Sequence, residues 1–104
     1  MHTDSKTGSD VTTELRRPAG AWLKALREQA GLSQRQLAEL VGAEYYTVVS
    51  QIENGRGRIS PDQYTKWATA LKIEPAELVR RLMQHYDPTT YDILFGKDTE
   101  QQSS

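Results

Sequence analysis

A chain of 104 residues with a formal net charge of −1, 26% charged side chains and no cysteine sets narrow limits. It is the size of one domain. It has neither a disulfide frame nor a cysteine–metal site, and no apolar run approaches the ~20 residues of a membrane span. The opening stretch MHTDSKTGSD lacks the apolar segment of a signal peptide, so the cytoplasm is the expected compartment.

The charge is unevenly spread. Residues 16–58 hold seven bases (Arg16, Arg17, Lys24, Arg27, Arg35, Arg56, Arg58) against four acids, while both flanks are acidic on balance. A positive centre fits a polyanionic partner. An excess of three charges is also within chance.

Residues 1–18 are polar and aperiodic, which predicts a disordered arm ending in Arg16 and Arg17, read as two solvated charges rather than as contacts to a phosphate or a minor groove. A first helix is predicted from Pro18–Gly20 to Ala30, with Trp22, Leu23, Leu26 and Ala30 on its apolar face and Gly31 as its stop. Ser33 is a good N-cap for a second helix, whose Leu37, Ala38 and Val41 share one face before Gly42. In the next helical run Tyr45, Val48, Val49 and Ile52 are placed inward, and Tyr46, Thr47, Ser50 and Gln51 outward. The outward set carries amide, hydroxyl and aromatic groups without charge, the chemistry that reads base edges in a major groove. Asn54-Gly55 stops this helix, and Arg56-Gly57-Arg58 follows, suited either to phosphate contacts or to a solvated loop.

Ser60 and Pro61 predict the start of a fourth helix, with the stripe Tyr64, Trp67, Ala68 and Leu71. Pro75 opens a fifth, with Leu78, Leu82 and Tyr86 inward and Val79 and Met83 beside them, while Arg80 and Arg81 are expected in solvent. Beyond Pro88, Tyr91, Ile93, Leu94 and Phe95 form an apolar cluster that a small five-helix core does not need. It folds back on its own core or docks on a second subunit. The polar stretch 97–104 is expected to be disordered.

LSQRQLA followed by a helix ending in IENG resembles the lambda-repressor/Cro-like (XRE-like) helix-turn-helix family, over roughly Leu23 to Leu78. The resemblance implies an all-α, five-helix DNA-binding domain at residues 19–86, here with a short C-terminal extension at 87–96. It also implies a structural pair between Arg27 and Glu53, and a backbone contact to DNA from Gln34 at the start of the second helix. Arg35, next to Gln34, is in reach of a phosphate, and with the outward α3 residues and the loop arginines the candidate DNA-binding set is Gln34, Arg35, Tyr46, Thr47, Ser50, Gln51, Asn54, Arg56 and Arg58. One departure stands out: ten residues separate Gly42 from Glu53, one more than the family's usual spacing. The turn or the first helical residue must absorb it.

Nothing in the sequence points to catalysis. His2 and His85 lack neighbours at metal-ligand spacing, and no glycine-rich phosphate loop is present; no cofactor or metal is expected. The function implied is a sequence-specific transcriptional regulator, most simply a repressor that binds an inverted-repeat operator as a homodimer and sits on the nucleoid when DNA-bound. Val79, Met83, Tyr91, Ile93, Leu94 and Phe95 are the expected dimer contacts. The alternative is an antitoxin-like module that uses its C-terminal segment to bind a small protein.

Overall fold

The computed structural model describes residues 9–96. It contains helices α1 (Ser9–Gln29), α2 (Gln34–Val41), α3 (Thr47–Glu53), α4 (Tyr64–Leu71), α5 (Pro75–Tyr86) and α6 (Pro88–Tyr91). A 3-10 turn, Pro61–Gln63, precedes α4, and a π turn, Asp92–Gly96, follows α6. Among the described residues there is no strand. The fold is the all-α arrangement of a lambda-repressor-like domain, with α6 and the π turn as the extension.

Three expectations need correction. The first concerns the arm. Helix α1 starts at Ser9 rather than near Pro18, so Pro18 lies inside it; residues 1–8 and 97–104, expected as disordered, lie outside the described residues. A proline in a helix interior removes one backbone bond and costs roughly 3 kcal/mol. Tertiary packing offsets that cost. Gly55 brings its backbone against α1, where a Cβ would lie 2.9 Å from the Thr13 carbonyl and 3.1 Å from Arg17 Cα. Arg16, expected in solvent, is half-buried with its guanidinium 5.6 Å from the centre of the Tyr86 ring.

The second concerns the tyrosines. Tyr45 is 64% exposed and Tyr46 41% exposed, so Tyr45 does not point inward. Residues 43–46 form the α2–α3 connection and take up the extra residue, and Tyr46 is the N-cap of α3. The 100° step between helical neighbours therefore does not govern Tyr45. Val48, also placed inward, is 37% exposed, while Val49 and Ile52 are buried.

The third concerns Ser60. It makes no side-chain capping bond, and Pro61 opens the 3-10 turn instead of α4 itself. Arg80 and Arg81 are exposed but not free of contacts: their guanidinium groups lie over the rings of Phe95 (5.5 Å) and Trp22 (4.9 Å).

The core is built from Leu23, Leu37, Val49, Ile59, Leu78 and Leu82, all essentially inaccessible to solvent. Each such side chain contributes about 1.5–3 kcal/mol by leaving water. That matters most for α3, whose seven residues are too few for a helix to persist alone. Val49 and Ile52 anchor it from below. Gly20 lets α1 cross directly over its end, because a Cβ at that position would overlap the Glu53 carbonyl.

Candidate nucleic-acid interface

The interface is organised by how α2 and α3 are capped and clamped. Ser33 accepts a bond from the Gln36 backbone N–H (3.0 Å), and the Gln36 side chain accepts one from the Ser33 N–H (2.8 Å). This capping box, S-x-x-Q in the sequence, sets the first turn of α2. Gly42 closes the helix in the left-handed conformation at φ 74°, with its N–H directed to the Ala38 and Glu39 carbonyls.

A polar cluster then ties three helices together. Arg27 Nε donates to Glu53 Oε2 at 2.6 Å and Arg27 Nη2 to Glu53 Oε1 at 3.1 Å. Both residues are 7% exposed. The third guanidinium nitrogen, Nη1, donates to the Leu32 carbonyl at 2.8 Å, and Gln34 Nε2 donates to Glu53 Oε1 at 3.0 Å. A bidentate, charge-assisted pair has both strength and fixed geometry. The hydrogen bond to Glu53 holds the Arg27 guanidinium protonated above its ordinary pKa, against the opposing effect of burial. Through these contacts α1, the turn after it, the start of α2 and the end of α3 keep one relative orientation. Gln34, expected at a DNA backbone, has one amide N–H turned inward to this cluster.

On the outer side, α3 exposes Thr47 and Gln51 and half-exposes Ser50. Tyr46 stands at the N-terminal end of this face and Asn54, the exposed C-cap, at the other. Arg35 reaches across from α2 and stacks its guanidinium 4.4 Å from the centre of the Tyr46 ring. After α3, Arg56 is exposed, and its backbone N–H returns to the Gln51 carbonyl (2.9 Å). Arg58 is exposed too, but it is held in place: Nη2 donates to Tyr64 Oη (3.3 Å), and the guanidinium lies 4.7 Å from the Tyr86 ring centre. Tyr86 accepts a bond from the buried Ile59 N–H (3.2 Å), and burial pushes its phenol pKa up. The described residues thus place uncharged polar side chains along the exposed part of α3, with Arg35 on Tyr46 at its start and Arg56 and Arg58 in the loop after it.

A helix-turn-helix family model matches residues 23–78, more than half of the chain. The chain belongs to the lambda-repressor/Cro-like helix-turn-helix family. No curated protein matches it. As a member of this family it is a DNA-binding transcriptional regulator, with α2 and α3 as the helix-turn-helix.

The helix-turn-helix ends well before the apolar extension. There, Val79 and Met83 are half-buried on α5. Tyr91 and Phe95 pack on one another with ring centres 5.0 Å apart. Ile93 and Leu94 are 65% and 52% exposed. Asp87 caps α6 by accepting from the Thr90 N–H (3.2 Å), and the Thr90 hydroxyl first, then this N–H, lower its carboxyl pKa. Among the described residues, no cluster of three or more His, Asp or Glu is placed to hold a metal ion, and no helix is long and apolar enough to cross a membrane.

Proposed function

We propose that this regulator reads its site with the exposed edge of α3 and represses by occupying a promoter in the cytoplasm. Thr47, Ser50 and Gln51 face the bases, with Tyr46 and Asn54 at the ends of the same edge. Gln34 at the N-terminus of α2, and Arg56 and Arg58 after α3, contact phosphates. The observation that carries this reading is the solvent-facing, uncharged polar edge of a helix whose opposite side is locked into the core. A short helix reads only a few base pairs, so two copies acting on an inverted repeat about one turn apart are the natural complement. The exposed Ile93 and Leu94, together with the half-buried Val79, Met83, Tyr91 and Phe95, supply the apolar surface for that second copy.

Selection of bound sequences from a random DNA pool tests the reading. An inverted repeat is expected, with preference at one position lost in Gln51→Ala. A bidentate amide–adenine contact accounts for about 1–3 kcal/mol of discrimination. Unchanged preference in Gln51→Ala means that another part of α3 faces the bases. The same exposed apolar residues favour one other reading, capture of a small protein in the manner of an antitoxin. Co-purification of a stoichiometric small partner in place of a homodimer would decide for it.

A further inference from the structure

We infer that Arg35, held by Tyr46, is a specificity-determining residue that reads a guanine at the edge of the half-site, beyond the bases met by Thr47 and Gln51. The inference rests on the proposed reading of DNA by α3 and names a contact that α2 adds to it.

Arg35 is the second residue of α2, beside Gln34, whose amide already donates to Glu53. An arginine in this place is ordinarily a mobile charge near a phosphate. Here it is fixed. The guanidinium carbon lies 4.4 Å from the centre of the Tyr46 ring, and Tyr46 caps the N-terminal end of α3. The stack places the charge beside the N-terminal end of α3. The residue inserted before Tyr45 matters here, since it leaves both tyrosines outside the helix and exposed.

Two features separate base reading from a phosphate contact. First, a guanidinium lying over a ring keeps the N–H groups at its rim free to donate. The rim offers the fork that matches guanine O6 and N7. Second, Glu39 and Glu44 line the same shallow hollow as Arg35, Tyr45 and Tyr46. Two carboxylates there oppose the approach of a charged phosphate more strongly than that of an uncharged base edge. Among the described residues neither carboxylate forms an ion pair with Arg35, and the pair Arg27–Glu53 alone meets that distance.

The test is selection from a random DNA pool with the full chain, followed by titration of the selected site and its single-base variants over a range of salt. Wild type should select guanine at one position on the flank facing the N-terminus of α3. Replacing that guanine by 7-deazaguanine, which lacks the N7 acceptor, should weaken binding about 5- to 150-fold. Arg35→Ala should lose the preference at that position alone. Arg35→Lys should lose it too, because the charge remains and the fork does not. Tyr46→Ala should relax the preference, and Tyr46→Phe, which retains the ring, should keep it. Equal weakening by Arg35→Ala on every sequence, with the salt slope reduced by about one, would make Arg35 a phosphate contact and overturn the inference while leaving α3 readout intact. A wild-type chain that selects no sequence at all overturns both.

Discussion

Removing Arg27 should test the clamp beneath the interface more sharply than any change on its surface. Arg27→Met retains most of the side-chain volume but deletes three hydrogen bonds, two to Glu53 and one to the Leu32 carbonyl. Glu53 is then a buried carboxylate whose one remaining partner is the Gln34 amide at 3.0 Å. Stranding one member of a buried ion pair costs about 3–5 kcal/mol, well above the ~0–1 kcal/mol of a surface pair. In a domain of this size that is a fall in melting temperature on the order of 15–30 °C. Glu53→Leu alone should cost a similar amount, since it leaves Arg27 charged and unpaired. The double variant Arg27→Met/Glu53→Leu should recover most of the loss, because apolar residues of similar volume replace buried pairs at little net cost. The assay is urea denaturation followed by helical circular dichroism for wild type, both single variants and the double. A coupling energy of roughly 2 kcal/mol or more is expected from the cycle. Single variants within 1 kcal/mol of wild type, or losses that simply add, would refute the argument that this pair fixes α3 against α1.

Gly20→Ala should destabilise the chain by about 1–3 kcal/mol or more, because the added methyl meets the Glu53 carbonyl and must push α1 off the end of α3; denaturant unfolding measures it. Tyr86→Phe should cost about 1–3 kcal/mol by leaving the buried Ile59 N–H without its acceptor. Since the folded-state pKa of Tyr86 is raised above its unfolded value, wild-type stability should be steady below about pH 10 and fall as the unfolded phenol ionises above it. Melting curves across that range should show a smaller decline in Tyr86→Phe. Deleting residues 89–104 should leave a helical monomer that binds the selected site much more weakly. Light scattering that finds the truncated chain still dimeric would move the dimer contact elsewhere.

Much of the helix-turn-helix was legible from local chemistry. Ser33 and Gly42 mark the ends of α2, and Leu37, Ala38 and Val41 mark its buried face, because capping and 3.6-residue periodicity act over a few neighbouring residues. The match of the chain to its family, residues 23–78, includes this stretch, LSQRQLA to IENG. The capping partner Gln36 was open to the same reading, three residues after Ser33. The outward edge Thr47–Gln51 followed from the buried positions Val49 and Ile52 of the same helix.

Other features depend on partners distant in the chain. The helical state of Ser9–Pro18 opposes the local signal of Pro18 and rests on packing against Gly55 and Tyr86, tens of residues away. Ile59, a lone apolar residue in a loop, is 1% exposed because it joins a core cluster drawn from several helices, a condition no window of sequence contains. Tyr45 turned outward because the α2–α3 connection, and not α3, absorbed the extra residue. The same is true of the arginines, whose sequence neighbours are compatible with simple solvation: the structure puts Arg35 on Tyr46, Arg58 on Tyr86 and Arg81 on Trp22. Sequence determined where α2 begins and ends and which side of it is apolar, since both are properties of adjacent residues. Tertiary structure decided which polar groups meet across helices, since a contact between distant segments exists only once the whole core has closed.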